Sequence, residues 1–178
     1  WHVHPSRLRS APLDISPALN ERIAVWPGDT PFRRTSSTEP GPPGTDGDPT
    51  WRLVVSSVHT TLHAGAHVDA PNHVGLESVG IDQVPLETYR GLCQVIRVVA
   101  PKGSALTPRD LDEHPPLAPR VLFATGSYRD PERFDPDFSA LSPELIDWLE
   151  RHGVVLVGID TPSIDLLSSS ELSSHRAT

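Results

Sequence analysis

With 15 Lys and Arg against 23 Asp and Glu, this 178-residue chain carries a formal charge of −8. It is long enough for one domain with a real core and too acidic for a nucleic acid or an anionic membrane surface to be its main partner. Its purely apolar runs are a handful of residues, far short of the ~20 that cross a bilayer, and no cleavable apolar signal stands near Trp1, so a cytoplasmic protein is expected.

A single cysteine, Cys93, excludes an internal disulfide framework and a Cys-rich zinc module. Any metal would rest on the nine His residues and the carboxylates. Proline is 20 of 178, about twice the usual ~5 %, and β-branched and Leu-rich segments persist between the prolines, so the excess marks turns. The sequence holds no methionine, and the expectation is that residues have been lost from its start.

Residues 1–11 read as an N-terminal arm, and Leu13 to Ser16 as a short strand-like entry. Val25-Trp26-Pro27-Gly28-Asp29 reads as a turn. Between Ser36 and Thr50 the composition turns to Pro, Gly, Asp and Thr without apolar residues, which predicts a mobile surface loop over 36–50. Trp51 to Leu62 is β-rich, and Leu92 to Val99 and Val121 to Thr125 are further strand candidates. Cys93 lies in one of these apolar runs and is expected in the core. Thr107 to Leu111 opens a short helix.

Ser142 is an N-cap candidate followed by Pro143, Glu144 and the helically spaced Leu145, Ile146 and Leu149, with Gly153 past the end. Val154 to Asp160 suits a strand buried on both faces, and Ser169 to Arg176 a third helix. Intermixed strands and helices predict a single α/β domain over residues 1–178.

The chemistry concentrates in His63-Ala64-Gly65-Ala66-His67-Val68-Asp69-Ala70-Pro71-Asn72-His73. Imidazole nitrogens and a carboxylate are the donors zinc accepts when no thiolate is present. The alternative is a polar loop capped by Pro71. In an extended chain the His63 and His67 Cα atoms would stand about 13 Å apart, too far for both side chains to reach one ion. A metal reading therefore requires a bend near Ala64 and Gly65, where glycine supplies the backbone freedom. Asp69 has two oxygens and could bridge two ions. His73, set off by Pro71, could exchange protons with a substrate.

This segment resembles the signature of the cyclase-type metal-dependent hydrolases and, within them, the bacterial arylformamidase (kynurenine formamidase) branch, whose pattern is H-x-G-T/A-H-x-D-x-P-x-H. Every fixed position is present. The likeness extends to Leu13-Asp14-Ile15-Ser16-Pro17, to Val25 through Phe32, to Val84 through Tyr89, and to Gly158-Ile159-Asp160-Thr161-Pro162-Ser163-Ile164-Asp165.

The resemblance implies that His63, His67 and Asp69 hold a first Zn2+, with Asp69 bridging to a second whose ligands include His175, and that His73 is the acid/base histidine. Mn2+ would be accepted by the same donors. It further implies hydrolysis of N-formyl-L-kynurenine to kynurenine and formate in tryptophan degradation, a swivelling β/β/α fold with a central mixed β-sheet and few helices, and a homodimer. Trp26 and Phe32 are candidates for an apolar wall against the aryl ring, with core packing as the competing role.

In the family a glutamate about a dozen residues after the second-site His completes that site, and closing strands follow. This sequence stops at Thr178, and Glu171 is too early to be that ligand. A fragment lacking part of its fold, which binds metal without turnover, is therefore the rival expectation from another class. An isatin-type cyclic-amide hydrolase is the rival within the same class. A serine hydrolase is disfavoured because no Gly-x-Ser-x-Gly elbow occurs. Asp160 and Asp165, flanking Thr161-Pro162-Ser163, are read first as loop-shaping groups.

Overall fold

A computed structural model describes residues 14–75, 78–112 and 114–178. The expected arm over 1–11 and Leu13 lie outside the described residues. Asp14 to Ser16 is not a strand: the Asp14 carboxylate accepts the Ser16 N–H at 2.9 Å, a local turn that competes with strand pairing.

The first regular element is a hairpin. Strands β1 (Arg33–Pro40) and β2 (Arg52–His59) pair antiparallel, with Arg33 opposite His59 and Pro40 opposite Arg52. The segment expected to be one mobile loop from 36 to 50 is therefore corrected, since its first five residues belong to β1. Ser36, Ser37 and Thr38 face Ser56, Val55 and Val54, so the polar strand is ordered by its partner. The Pro and Gly residues beyond Pro40 make the connection, closed by Gly41 N–H to Trp51 O (2.9 Å) and Gly44 N–H to Asp48 O (2.6 Å). Every residue of both strands is exposed.

The scaffold proper is a parallel sheet ordered β3-β5-β7, formed by β3 (Gln94–Arg97), β5 (Arg120–Ala124) and β7 (Leu156–Ile159). Two very short parallel strands, β4 (Ala105–Leu106) and β6 (Ala140–Leu141), pair beside it. Parallel and antiparallel pairings thus occur in separate sheets of a mixed α/β architecture with few helices. The connection from β3 to β5 includes a 3-10 turn at Pro108–Leu111 with Thr107 and Asp110 in a capping box, shorter than a true helix. One-turn helix α1 (Leu86–Tyr89) precedes β3.

Helix α2 (Pro143–Arg151) forms where the caps predict it. Ser142 Oγ accepts the Leu145 N–H at 3.1 Å, Pro143 fills the first turn, and Gly153 follows the end with φ +79°. Its apolar stripe of Leu145, Ile146 and Leu149 packs into one cluster with Val121 and Phe123 of β5, Leu106, Leu111 and Leu141. Phe123 is 1 % exposed.

Three expectations are corrected around this core. β7 is half-buried along its length and Val155 is exposed, because among the described residues the strand lies at an edge of the sheet with β5 as its neighbour. Cys93 is exposed rather than buried, one residue ahead of edge strand β3. The third helix over 169–176 is only a 3-10 turn at His175–Ala177. Among the described residues no helix is long and apolar enough to cross a membrane.

Phe123→Ala would remove a large side chain from the centre of the core. It should cost about 3–5 kcal/mol, read as a lower midpoint in chemical denaturation with little change in slope.

Candidate metal centre

The chain that carries the His cluster is fixed before it reaches His63. The Asp29 carboxylate of the Trp-Pro-Gly-Asp turn accepts the Thr61 hydroxyl at 3.1 Å, and Thr61 N–H donates to Thr30 O at 3.0 Å. Thr61 Oγ1 in turn accepts the His63 N–H at 3.3 Å. The backbone then reverses at Gly65, whose φ is +65°, a conformation that costs an L-residue roughly 1–2 kcal/mol. A Cβ there would also lie 2.6 Å from Leu19 Cδ2, so the bend expected at Ala64 and Gly65 is present.

That reversal brings three donor atoms together. His63 Nδ1 lies 3.1 Å from His67 Nε2 and 3.0 Å from Asp69 Oδ1, and His67 Nε2 lies 3.5 Å from the same oxygen. Tetrahedral bonds of ~2.0–2.1 Å would place donors roughly 3.3–3.4 Å apart, so the triangle has the size of one face of a zinc site. His67 Nδ1 donates to Gly65 O at 3.0 Å, which leaves Nε2 as the inward donor. Two imidazole nitrogens facing each other beside a carboxylate need a proton or a metal ion between them to lie this close.

The electrostatics agree. Hydrogen bonding from His67 holds the Asp69 carboxyl at about 2 against the opposing effect of burial, with the neighbouring His charges adding to it. Asp69 raises His67 in return, again against burial, with the Gly65 carbonyl helping. His73 is pushed below the ordinary His range, first by burial and also by His63, His175 and His67, although Asp69 opposes this.

His73 is set by the 3-10 turn Pro71–His73, whose last N–H donates to Ala70 O at 2.8 Å. Its ring centroid is 4.5 Å from that of His63 and 5.6 Å from that of His175. Donor atoms of Asp69, His73 and His175 lie within 4.8 Å of one another, forming a second group that shares Asp69 with the first. The structure therefore brings together all five residues singled out for metal and proton chemistry: His63, His67, Asp69, His73 and His175. Of the other described histidines, His59, His114 and His152, none joins them.

Trp26 and Phe32 stand differently. Trp26 packs edge-on against Phe134 and Phe138, at centroid distances of 5.6 and 6.2 Å. Phe32 is half-buried just ahead of β1. Ser127, the nearest serine after a strand, accepts the Ser139 N–H at 2.9 Å and shares a hydrogen bond with Thr125, as a loop cap does.

Two acids read first as loop formers have larger parts. Asp160 accepts the N–H and hydroxyl of Thr125 and the N–H of Gly126, at 3.0, 2.7 and 2.8 Å, tying the ends of β5 and β7 together. Asp165 binds His175 directly, with Oδ2 2.7 Å from Nδ1. Their spacing within Gly-Ile-Asp-Thr-Pro-Ser-Ile-Asp carried no sign of these partners, which come from elsewhere in the chain. Thr61 was likewise missed; only its place two residues before His63 could have drawn notice.

Comparison with known proteins bears on the family and the fold. A family model described as "Putative cyclase" matches residues 13–166. Among solved structures, the chain is similar to one described as a potential metal-dependent hydrolase with cyclase activity, at 21 % identity and a TM-score of 0.60, over 82 % of this chain and 76 % of that one. It is similar to a predicted metal-dependent hydrolase from Bacillus stearothermophilus, at 20 % identity and a TM-score of 0.69, over 93 % and 77 %. A third, a novel cyclase, aligns at 14 % identity and a TM-score of 0.59, over 90 % and 70 %. At these identities the structures speak to the fold, while the family match spans most of the chain: the protein belongs to the cyclase family.

Proposed function

We propose that this chain is a metal-dependent amide hydrolase of the arylformamidase type, cleaving N-formyl-L-kynurenine to kynurenine and formate. The observation that carries the hydrolase reading is the triangle of His63 Nδ1, His67 Nε2 and Asp69 Oδ1, with sides of 3.0 to 3.5 Å. The similar structures described as metal-dependent hydrolases support it. Support for the formyl anilide over other amides comes from the sequence resemblance, in the Trp-Pro-Gly-Asp turn and the Gly-Ile-Asp-Thr-Pro-Ser segment.

In this reading His63, His67 and Asp69 hold a first ion, Zn2+ or Mn2+, and Asp69 with His175 contributes to a second. When bound, such an ion supplies Lewis acidity, polarising an amide carbonyl and making water acidic near neutral pH. The residues of the chain do the rest. Asp69 and the imidazoles keep their lone pairs directed inward. His73 borders both donor groups with its ring held below the usual His range by burial, which favours the neutral ring that accepts a proton from water. Breaking the C–N bond leaves an anilide nitrogen that needs a proton, and His73 returns it there. Trp26 and Phe32, both half-buried, are the candidates for the apolar surface against the aryl ring.

The direct test is turnover by protein loaded with Zn2+ or Mn2+, offered N-formyl-L-kynurenine and, separately, isatin. Kynurenine formation is expected with the first substrate. Turnover of isatin alone would move the protein to the cyclic-amide hydrolases, and turnover of neither would remove the reading.

Two variants separate the roles. His73→Ala should lower kcat by ~10²–10⁴ while metal content per chain stays unchanged. Because His73 also belongs to the Asp69–His73–His175 group, joint loss of activity and one metal equivalent would assign it to ligation instead. Asp69→Asn should weaken both metal positions, measured by elemental analysis after dialysis against a weak chelator.

A further inference from the structure

The loop after β7 delivers a buried acid to the rear of the second donor group. The Asp165 side chain is 5 % exposed and that of His175 12 %. Asp165 Oδ1 accepts the Ser174 N–H at 3.1 Å and the Ser169 hydroxyl at 3.3 Å. Its Oδ2 accepts the His175 backbone N–H at 2.9 Å and lies 2.7 Å from His175 Nδ1. One carboxylate thus holds both the backbone and the ring of the same histidine. The arrangement is itself anchored, because Ser174 Oγ donates to Leu141 O of β6 at 2.6 Å, and Asp165 N–H donates to Ser163 Oγ at 3.1 Å.

A buried carboxylate at this distance from Nδ1 needs a proton between them. With the proton on Nδ1, the lone pair lies on Nε2, the nitrogen left to serve Asp69 and His73. Among the described residues the two Asp165 oxygens otherwise meet only donors, the Ser174 and His175 N–H groups and the Ser169 hydroxyl, so Asp165 accepts at every contact and the ring nitrogen is the donor. His67 is oriented by a neutral carbonyl, Gly65 O. Behind His175 stands the Asp165 carboxylate, a charge-assisted partner that holds its ring in place.

We infer that Asp165 is a positioning residue: it fixes His175 in the Nδ1–H tautomer and aims Nε2 at the second donor group. The significance of this for metal binding rests on the hydrolase reading above, but the tautomer does not, and the two are tested separately.

Metal-free protein labelled with 15N at histidine reports the tautomer directly through the imidazole nitrogen shifts. The wild type should show His175 protonated on Nδ1 when neutral, and Asp165→Ala should shift it towards Nε2–H. Zn2+ titration against a chromophoric chelator should then show a 10–100-fold loss of affinity at the weaker of two sites in Asp165→Ala, with the site of His63, His67 and Asp69 unchanged.

Asp165→Asn, which retains an oxygen acceptor for the backbone N–H groups, gives the same comparison if the alanine variant does not fold. An Nε2–H tautomer in the wild type would overturn the inference, as would a tautomer and a Zn2+ affinity that neither substitution alters. An Nδ1–H tautomer in a protein that takes up no Zn2+ or Mn2+ would leave Asp165 in its role and overturn the metal hydrolase reading.

Discussion

Two imidazole nitrogens and a carboxylate oxygen can be held 3.0 to 3.5 Å apart only where the chain that carries them turns back on itself within a few residues. Their lone pairs repel unless a proton or a metal ion lies between them, and the backbone holds them at that distance. It does so at Gly65, where a left-handed conformation closes the turn and its carbonyl takes the outer N–H of His67. The Asp29–Thr61–His63 relay fixes the entrance and the 3-10 turn at Pro71 fixes the exit. The remainder of the fold serves to bring a second group of donors up to this one.

That second group depends on the parallel sheet. β5 lies at its centre, and its Val121 and Phe123 pack with the stripe of α2. β7 follows α2 and carries the loop that holds Asp165. Asp160 binds the end of β5 at the start of that loop, and Ser174 binds β6 beyond it. His175 is therefore located by contacts to two separate strands, through polar groups that are satisfied where they are buried.

The clustering of the candidate site's residues was more legible in the sequence than the fold around it, for a physical reason. His63, His67, Asp69 and His73 lie within one local segment, and their donor types and the glycine between them could be read without knowing any long-range contact. Helix α2 was legible because its cap, first turn and C-terminal glycine are also local signals. The hairpin was not, because β1 is polar along Ser36, Ser37 and Thr38 and is ordered by Val54 and Val55 across from it. Strand β7 and Cys93 were read as buried from apolar composition, yet burial depends on sheet order, and both lie at edge strands. Asp165 was visible as a residue but not as a partner of His175, since nothing in the nine residues of intervening chain announces that bond.

The hairpin also has a consequence for how the protein behaves in concentrated solution. Among the described residues β1 and β2 form a sheet of two strands only, so each has one margin of backbone N–H and C=O groups with no strand beside it. Such margins are templates for strand addition, and Leu53, Val54, Val55 and Val58 are exposed on β2 to reinforce it. Arg33, Arg34 and Arg52 at the base and tip, and Pro40 at the end of β1, act as gatekeepers: their charge and missing N–H discourage in-register stacking of one ribbon on another. Replacing the arginines with neutral residues, and Pro40 with a residue that has an N–H, would open the margins of the ribbon to strand addition.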